Sequence, residues 1–140
     1  MVSAWVIVLG HQVCAQGMFM ANNIAIQRKT GEIAAKTRTE MMPIVAYTVF
    51  IVYSLIVAVV HPALPPLPVL VCALGLLGLN LAIGATAFVH LGDSWRVGVL
   101  EGQDTALVTS GIYRLTRNPY FVGYHLMVLG YTLLLLNVGQ

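Results

Sequence analysis

The chain has 140 residues, 59% of them hydrophobic and only 9% charged, with a mean hydropathy of +0.85. Soluble domains carry about 25% charged residues, so the composition places this chain among membrane proteins. A formal charge of +2 with no basic run interleaved with aromatics excludes a nucleic-acid-binding surface.

All twelve acidic and basic residues fall in two windows, Arg28–Glu40 and Asp93–Arg117. The intervals 1–27, 41–92 and 118–140 hold none. The expected fold is therefore an all-α integral membrane domain over residues 1–140, with about four transmembrane helices and a long cytoplasmic loop before the last. The start, MVSAWVIVLGHQVC, lacks the basic region of a secretory signal and reads as a retained first helix.

The first span is expected over Ser3–Ile26, although His11, Gln12, Gln16, Asn22 and Asn23 interrupt it. The second, Met41–Val60, is an uninterrupted apolar run; at 1.5 Å per residue it matches a hydrocarbon core of roughly 30 Å. The uncharged turn HPALPPLP makes the second and third spans an antiparallel hairpin. The third, Val69–Val89, carries Ala73, Gly75, Gly78 and Gly84, expected to form a small-residue face for close helix contact. The fourth, Pro119–Leu136, opens on proline, which loses no hydrogen bond at a first helical turn. Basic residues concentrate in loops 27–40 and 90–118, marking both as cytoplasmic. With four spans, both termini face outward.

The loop HLGDSWRVGVLEGQDTALVTSGIYRLTRN is far longer than neighbouring helices require, and such loops are usually functional. Its first part offers Trp95 and Arg96 as headgroup-level anchors, with Glu101 and Asp104 as solvated charges. Alternating apolar residues around Leu107 and Val108 suggest an extended stretch, and a turn follows at Ser110–Gly111. Taken alone, Arg114 and Arg117 are ordinary anchors for a helix end, and Tyr120 and Tyr124 read as an aromatic belt. His11 and Asn80 lie deeper in apolar helices, where hydrogen bonding between helices is their expected role. His125 reads as a packed polar residue. The scattered histidines lack carboxylates at ligand spacing, so no metal site is expected, and Cys14 and Cys72 show neither CxxC nor zinc spacing.

The stretch LVTSGIYRLTRNPYFVGYHLMVLGYTLLLLN resembles the signature region of the isoprenylcysteine carboxyl methyltransferase family and its phospholipid methyltransferase relatives. Leu107, Val108, Gly111, Tyr113, Arg117, Asn118, Pro119, Phe121 and Gly123 fall on the family pattern, and GDSWRVGV is similar to an upstream element of bacterial members. The resemblance implies a membrane-embedded methyltransferase that uses S-adenosylmethionine at the cytoplasmic face of a bacterial-type inner membrane. Its acceptor would be lipid-associated, a prenylcysteine carboxylate or a phospholipid amine. It further implies Arg117 and Asn118 as catalytic residues. Leu107, Val108, Gly111, Tyr113, Arg117, Asn118, Pro119 and Phe121 would hold the cofactor. Arg117 suits the cofactor carboxylate, since guanidinium pairs bidentately with carboxylates. Asn118 replaces a frequent histidine; it hydrogen-bonds but is no base near neutral pH.

Family members continue with a returning helix and an R-x-x-x-E-E segment, whereas this sequence stops at Gln140. The expectation is a truncated form, a split form completed by a second chain or a homo-oligomer, or a non-catalytic membrane subunit. A small proton-coupled exporter ranks last, because such exporters need a carboxylate within the membrane and every Asp and Glu here sits in a loop.

Overall fold

A computed structural model describes residues 3–30, 41–92 and 108–136. Four α-helices carry them: α1 (Ala4–Thr30), α2 (Met41–Val60), α3 (Leu67–Leu91) and α4 (Pro119–Leu135), with a 3₁₀ turn, η1, at Gly111–Arg114. No strand occurs among the described residues, and Val108 and Thr109 are irregular. The helix positions match the expectation closely. α1 runs on to Thr30, so Arg28 and Lys29 form its last turn rather than a loop, where cations complement the helix dipole.

Two helices, Ala4–Lys29 and Leu67–Leu91, are long and apolar enough to cross a membrane, and Val45–Val60 and Pro119–Leu135 are shorter apolar helices. Prolines set the starts of α3 and α4, at the first or second helical position in each case. α3 stops at Gly92, whose φ of +47° turns the chain and whose N–H returns to the Phe88 carbonyl. The first amide of α1 donates to the Pro62 carbonyl at 3.1 Å, tying the start of α1 to the α2–α3 turn. At the other end the rings of Phe19 and Phe88 lie 6.2 Å apart. α1 and α3 therefore run side by side in the same direction. Arg28 and Lys29 then share one end of the bundle with the entrance to α4.

The most extensive packing joins α3 to α4, and there the small-residue expectation needs correcting. A Cβ placed on Gly75, Gly78 or Gly84 would meet nothing within 4 Å. The close approaches come instead from α4. At Gly130 a Cβ would sit 2.8 Å from the Leu77 side chain and 3.3 Å from the Ala73 carbonyl. At Gly123 it would sit 3.2 Å from the Asn80 amide nitrogen. Seven residues apart, these two glycines share one face of α4, and Ala73, fully buried, is the one member of the expected α3 set that meets it. Around this seam Val8, Leu77, Met127, Tyr131 and Leu134 form the buried core.

Candidate functional site

The signature residues gather where α3 ends and α4 begins. Gly111 has φ of +59°, in the left-handed region open to glycine, and any Cβ there would overlap the His90 imidazole. The turn thus lies close against His90 at the end of α3, and its own shape is held by Tyr113 N–H to Ser110 O at 3.2 Å and Leu115 N–H to Ile112 O at 3.1 Å. His90 keeps its ring in place by donating from Nδ1 to the Thr86 carbonyl at 2.7 Å.

Asn118 follows with φ −139° and ψ 73°, outside the helical region that a following proline disfavours. Its backbone N–H donates to Thr116 Oγ1 at 3.3 Å, and its carbonyl accepts the Val122 amide at 3.4 Å. The Asn118 side chain makes no capping bond to α4, so its amide remains exposed and available. Pro119 is fully buried. Arg114, Arg117 and Asn118 are exposed; Val108 and Tyr113 are half-buried. Phe121 leaves 57% of its surface open. Burial pushes the Tyr113 phenol above the usual tyrosine range, so it stays protonated.

All five Asp and Glu residues of the chain fall outside the described residues. Leu107, expected in the cofactor site, lies outside the described residues, as do Trp95, Arg96, Glu101 and Asp104. No group of His, Cys, Asp and Glu among the described residues could hold a metal. Cys14 and Cys72 are free and exposed.

Beneath the signature, all four helices leave a cavity of about 50 Å³, lined among others by Gln16, Tyr47, Asn80, Phe88, Tyr120 and Tyr124. A water needs ~10–15 Å³ on this measure, so a few waters fit, whereas a nucleoside cofactor does not. Tyr120 and Tyr124 also do more than face lipid: Tyr124 pairs with Tyr47 at 5.8 Å and Tyr120 with Phe88 at 6.3 Å, ring to ring between helices.

A polar network backs this cavity. His11 Nδ1 lies 2.9 Å from Tyr131 Oη and His11 Nε2 lies 3.0 Å from Asn80 Oδ1. Asn80 Nδ2 donates to the Gly123 carbonyl at 2.8 Å. Gln12 Nε2 donates to Tyr131 Oη at 2.8 Å, Tyr47 Oη to Gln12 Oε1 at 3.0 Å, and Gln16 Nε2 to Tyr47 Oη at 3.2 Å. The expected interhelical bonding of His11 and Asn80 is present. Their partners Gln12, Tyr47 and Tyr131 were not legible, although the polar interruptions of the first span were the available signal. The network also gives Gly123 a reason within the signature: a larger residue would press on the Asn80 amide.

Residues 70–139, half of the chain, match the model of the isoprenylcysteine carboxyl methyltransferase (ICMT) family. The chain belongs to this family. No curated protein and no solved structure gives a match. The matched residues take in α3, η1 and α4, the units that build the rim of signature residues, while α1 and α2 lie before them. Members of the ICMT family are membrane methyltransferases that use S-adenosylmethionine.

Proposed function

We propose that this ICMT-family chain is a multi-pass membrane methyltransferase that takes its methyl group from S-adenosylmethionine and delivers it to a lipid-associated acceptor. The observation that carries this reading is the exposed rim at the entrance to α4. There an exposed arginine, an uncommitted asparagine amide and an open phenylalanine share one short segment fixed by Gly111 and Pro119.

The rim's donor set fits the cofactor. Arg117 pairs with the amino-acid carboxylate, Phe121, Val108 and Tyr113 offer apolar and aromatic contact to adenine, and Asn118 offers an amide to the remaining polar edge. When bound, the cofactor supplies an electrophilic methyl on a sulfonium, and the acceptor must meet it in line and out of water. A carboxylate acceptor needs no proton removed. An amine acceptor must first lose one, and Asn118 is no base for that step. Arg28, Lys29, Arg114 and Arg117 gather at the end that the distribution of basic residues assigns to the cytoplasm, beside the headgroups where a lipid acceptor presents itself. The acceptor is a prenylcysteine-type carboxylate or a phospholipid amine.

The test is transfer of a labelled methyl group from S-adenosylmethionine to a lipid extract, by the full chain reconstituted in bilayers. Label in the lipid fraction that disappears in Arg117→Ala is the expected result. A folded protein that binds the cofactor and transfers nothing would instead mark a non-catalytic subunit of the family fold.

A further inference from the structure

The polar network can run in one continuous sense of hydrogen bonding while His11 is neutral, and that sense is set from one atom. The Gly123 carbonyl can only accept, so the Asn80 nitrogen must face it, at 2.8 Å. Asn80 Oδ1 then faces His11 Nε2 at 3.0 Å, and an amide oxygen cannot donate. Nε2 must carry the hydrogen. In a neutral ring Nδ1 is then bare, and the Tyr131 hydroxyl, 2.9 Å away, donates to it in preference to the Val8 carbonyl at 3.3 Å. Tyr131 Oη accepts from Gln12 Nε2, Gln12 Oε1 accepts from Tyr47, and Tyr47 accepts from Gln16. The result is one head-to-tail chain, Gln16 to Tyr47 to Gln12 to Tyr131 to His11 to Asn80 to the Gly123 carbonyl, crossing α1, α2, α4 and α3.

We propose that His11 is a positioning residue for the signature helix, held neutral with its hydrogen on Nε2, so that α1 locks Asn80 onto the Gly123 carbonyl in the first turns of α4. Every member facing the ring is neutral: Tyr131 from α4, Asn80 and the Leu77 carbonyl from α3, and Gln12 with Tyr47 from α1 and α2 through the tyrosine. None is an acid that would hold an imidazolium at this depth, where an unpaired charge is costly. A proton wire is excluded, because Gln12 and Asn80 interrupt the chain with amide groups that do not release a proton at accessible pH. What the chain transmits is orientation. Aligned hydrogen bonds in a low-dielectric interior reinforce one another, and here the alignment ends on a glycine of the signature. His11, Gln12, Gln16 and Tyr47 all precede the family-matched residues 70–139, so the matched half is oriented by residues outside it. The inference stands on this geometry and not on the cofactor reading.

Nitrogen-15 NMR of histidine-labelled protein in detergent near pH 7 tests it. The four histidines are His11, His61, His90 and His125, and replacing the last three with Gln leaves His11 alone in the spectrum. His11 is expected to show a protonated Nε2 and a bare Nδ1. His90 and His125 in the native chain keep Nδ1 protonated, because each donates from it to a carbonyl at 2.7 Å. A His11 ring protonated on Nδ1 alone, or on both nitrogens, overturns the proposal. Labelling glycine carbonyls and tyrosine amides reports only Gly123–Tyr124 and Gly130–Tyr131. The first of these signals is expected to shift in Asn80→Leu and also in His11→Leu, although residue 11 does not touch Gly123. A shift in Asn80→Leu with none in a folded His11→Leu would show that Asn80 holds the carbonyl unaided, and would overturn the positioning role. If His11→Leu does not fold, the tautomer of the native ring still decides.

Discussion

Gly111 combines two constraints that no other residue satisfies: φ of +59° and a Cα against the His90 ring. Gly92 shares only the first, with φ of +47° and open space where a Cβ would go. An L-residue in the left-handed region costs about 1–2 kcal/mol. Gly92→Ala is therefore expected to lower the melting temperature modestly, and Gly111→Ala to lower it further, because His90 must also move. Equal melting temperatures for the two variants in detergent would show that the turn does not rest on His90. At Tyr113 the sign of the pH dependence follows from burial. The neutral phenol is the favoured form in the folded state, so its pKa lies above the unfolded value near 10. This contribution to stability is complete below the unfolded pKa and is lost as pH rises through the folded one. The difference in tyrosinate absorbance between the wild type and Tyr113→Phe should accordingly appear above the ordinary tyrosine range. A difference centred at or below that range would mean the phenol is solvated.

The helices themselves were legible in the sequence for simple reasons. Charge is excluded from three intervals, an uncharged proline-rich turn separates α2 from α3, and a proline marks the start of α4; each signal is local. Which glycines bring helices together was not legible, because it depends on how each helix is rotated about its axis. Gly75, Gly78 and Gly84 supplied a plausible motif yet have no close neighbour, whereas Gly123 and Gly130 meet Asn80 and Leu77. Tyr131 was equally opaque: only the folded arrangement brings it to His11 and Gln12. A sharp test separates the two glycine sets. Gly130→Val forces the Leu77 side chain aside and should destabilise the α3–α4 pair by about 1–3 kcal/mol, typical of overpacking. Gly78→Ala, facing open space, should stay within ~0.5 kcal/mol of wild type. Reversible unfolding in mixed micelles measures both, and a Gly78→Ala loss equal to that of Gly130→Val would reverse the assignment of the seam.

On the scale of the whole molecule, helix association in lipid gains little from the hydrophobic effect and relies on close packing and hydrogen bonds. Close packing joins α3 and α4, the pair within the family-matched segment, and the polar network ties α1 and α2 to it. Each interhelical side-chain bond is worth only about 0.6 kcal/mol on average, so the network's value lies in choosing one arrangement rather than in bulk stability. The signature stands at the end of this assembly. It was readable through its resemblance to the family pattern of glycine, tyrosine, arginine, asparagine and proline; the exposure of Arg117 and the seat of Gly111 on His90 were not, since both need α3 beside η1. The central claim is that this rim receives S-adenosylmethionine. Isothermal calorimetry of the detergent-purified chain measures it directly, alongside Arg117→Ala. Saturable binding at submillimolar to millimolar cofactor is the predicted result, weakened at least tenfold by loss of the guanidinium, in keeping with about 1.5–3 kcal/mol for a charged hydrogen bond. No binding by the folded wild type at millimolar cofactor, or equal binding by both proteins, would contradict it.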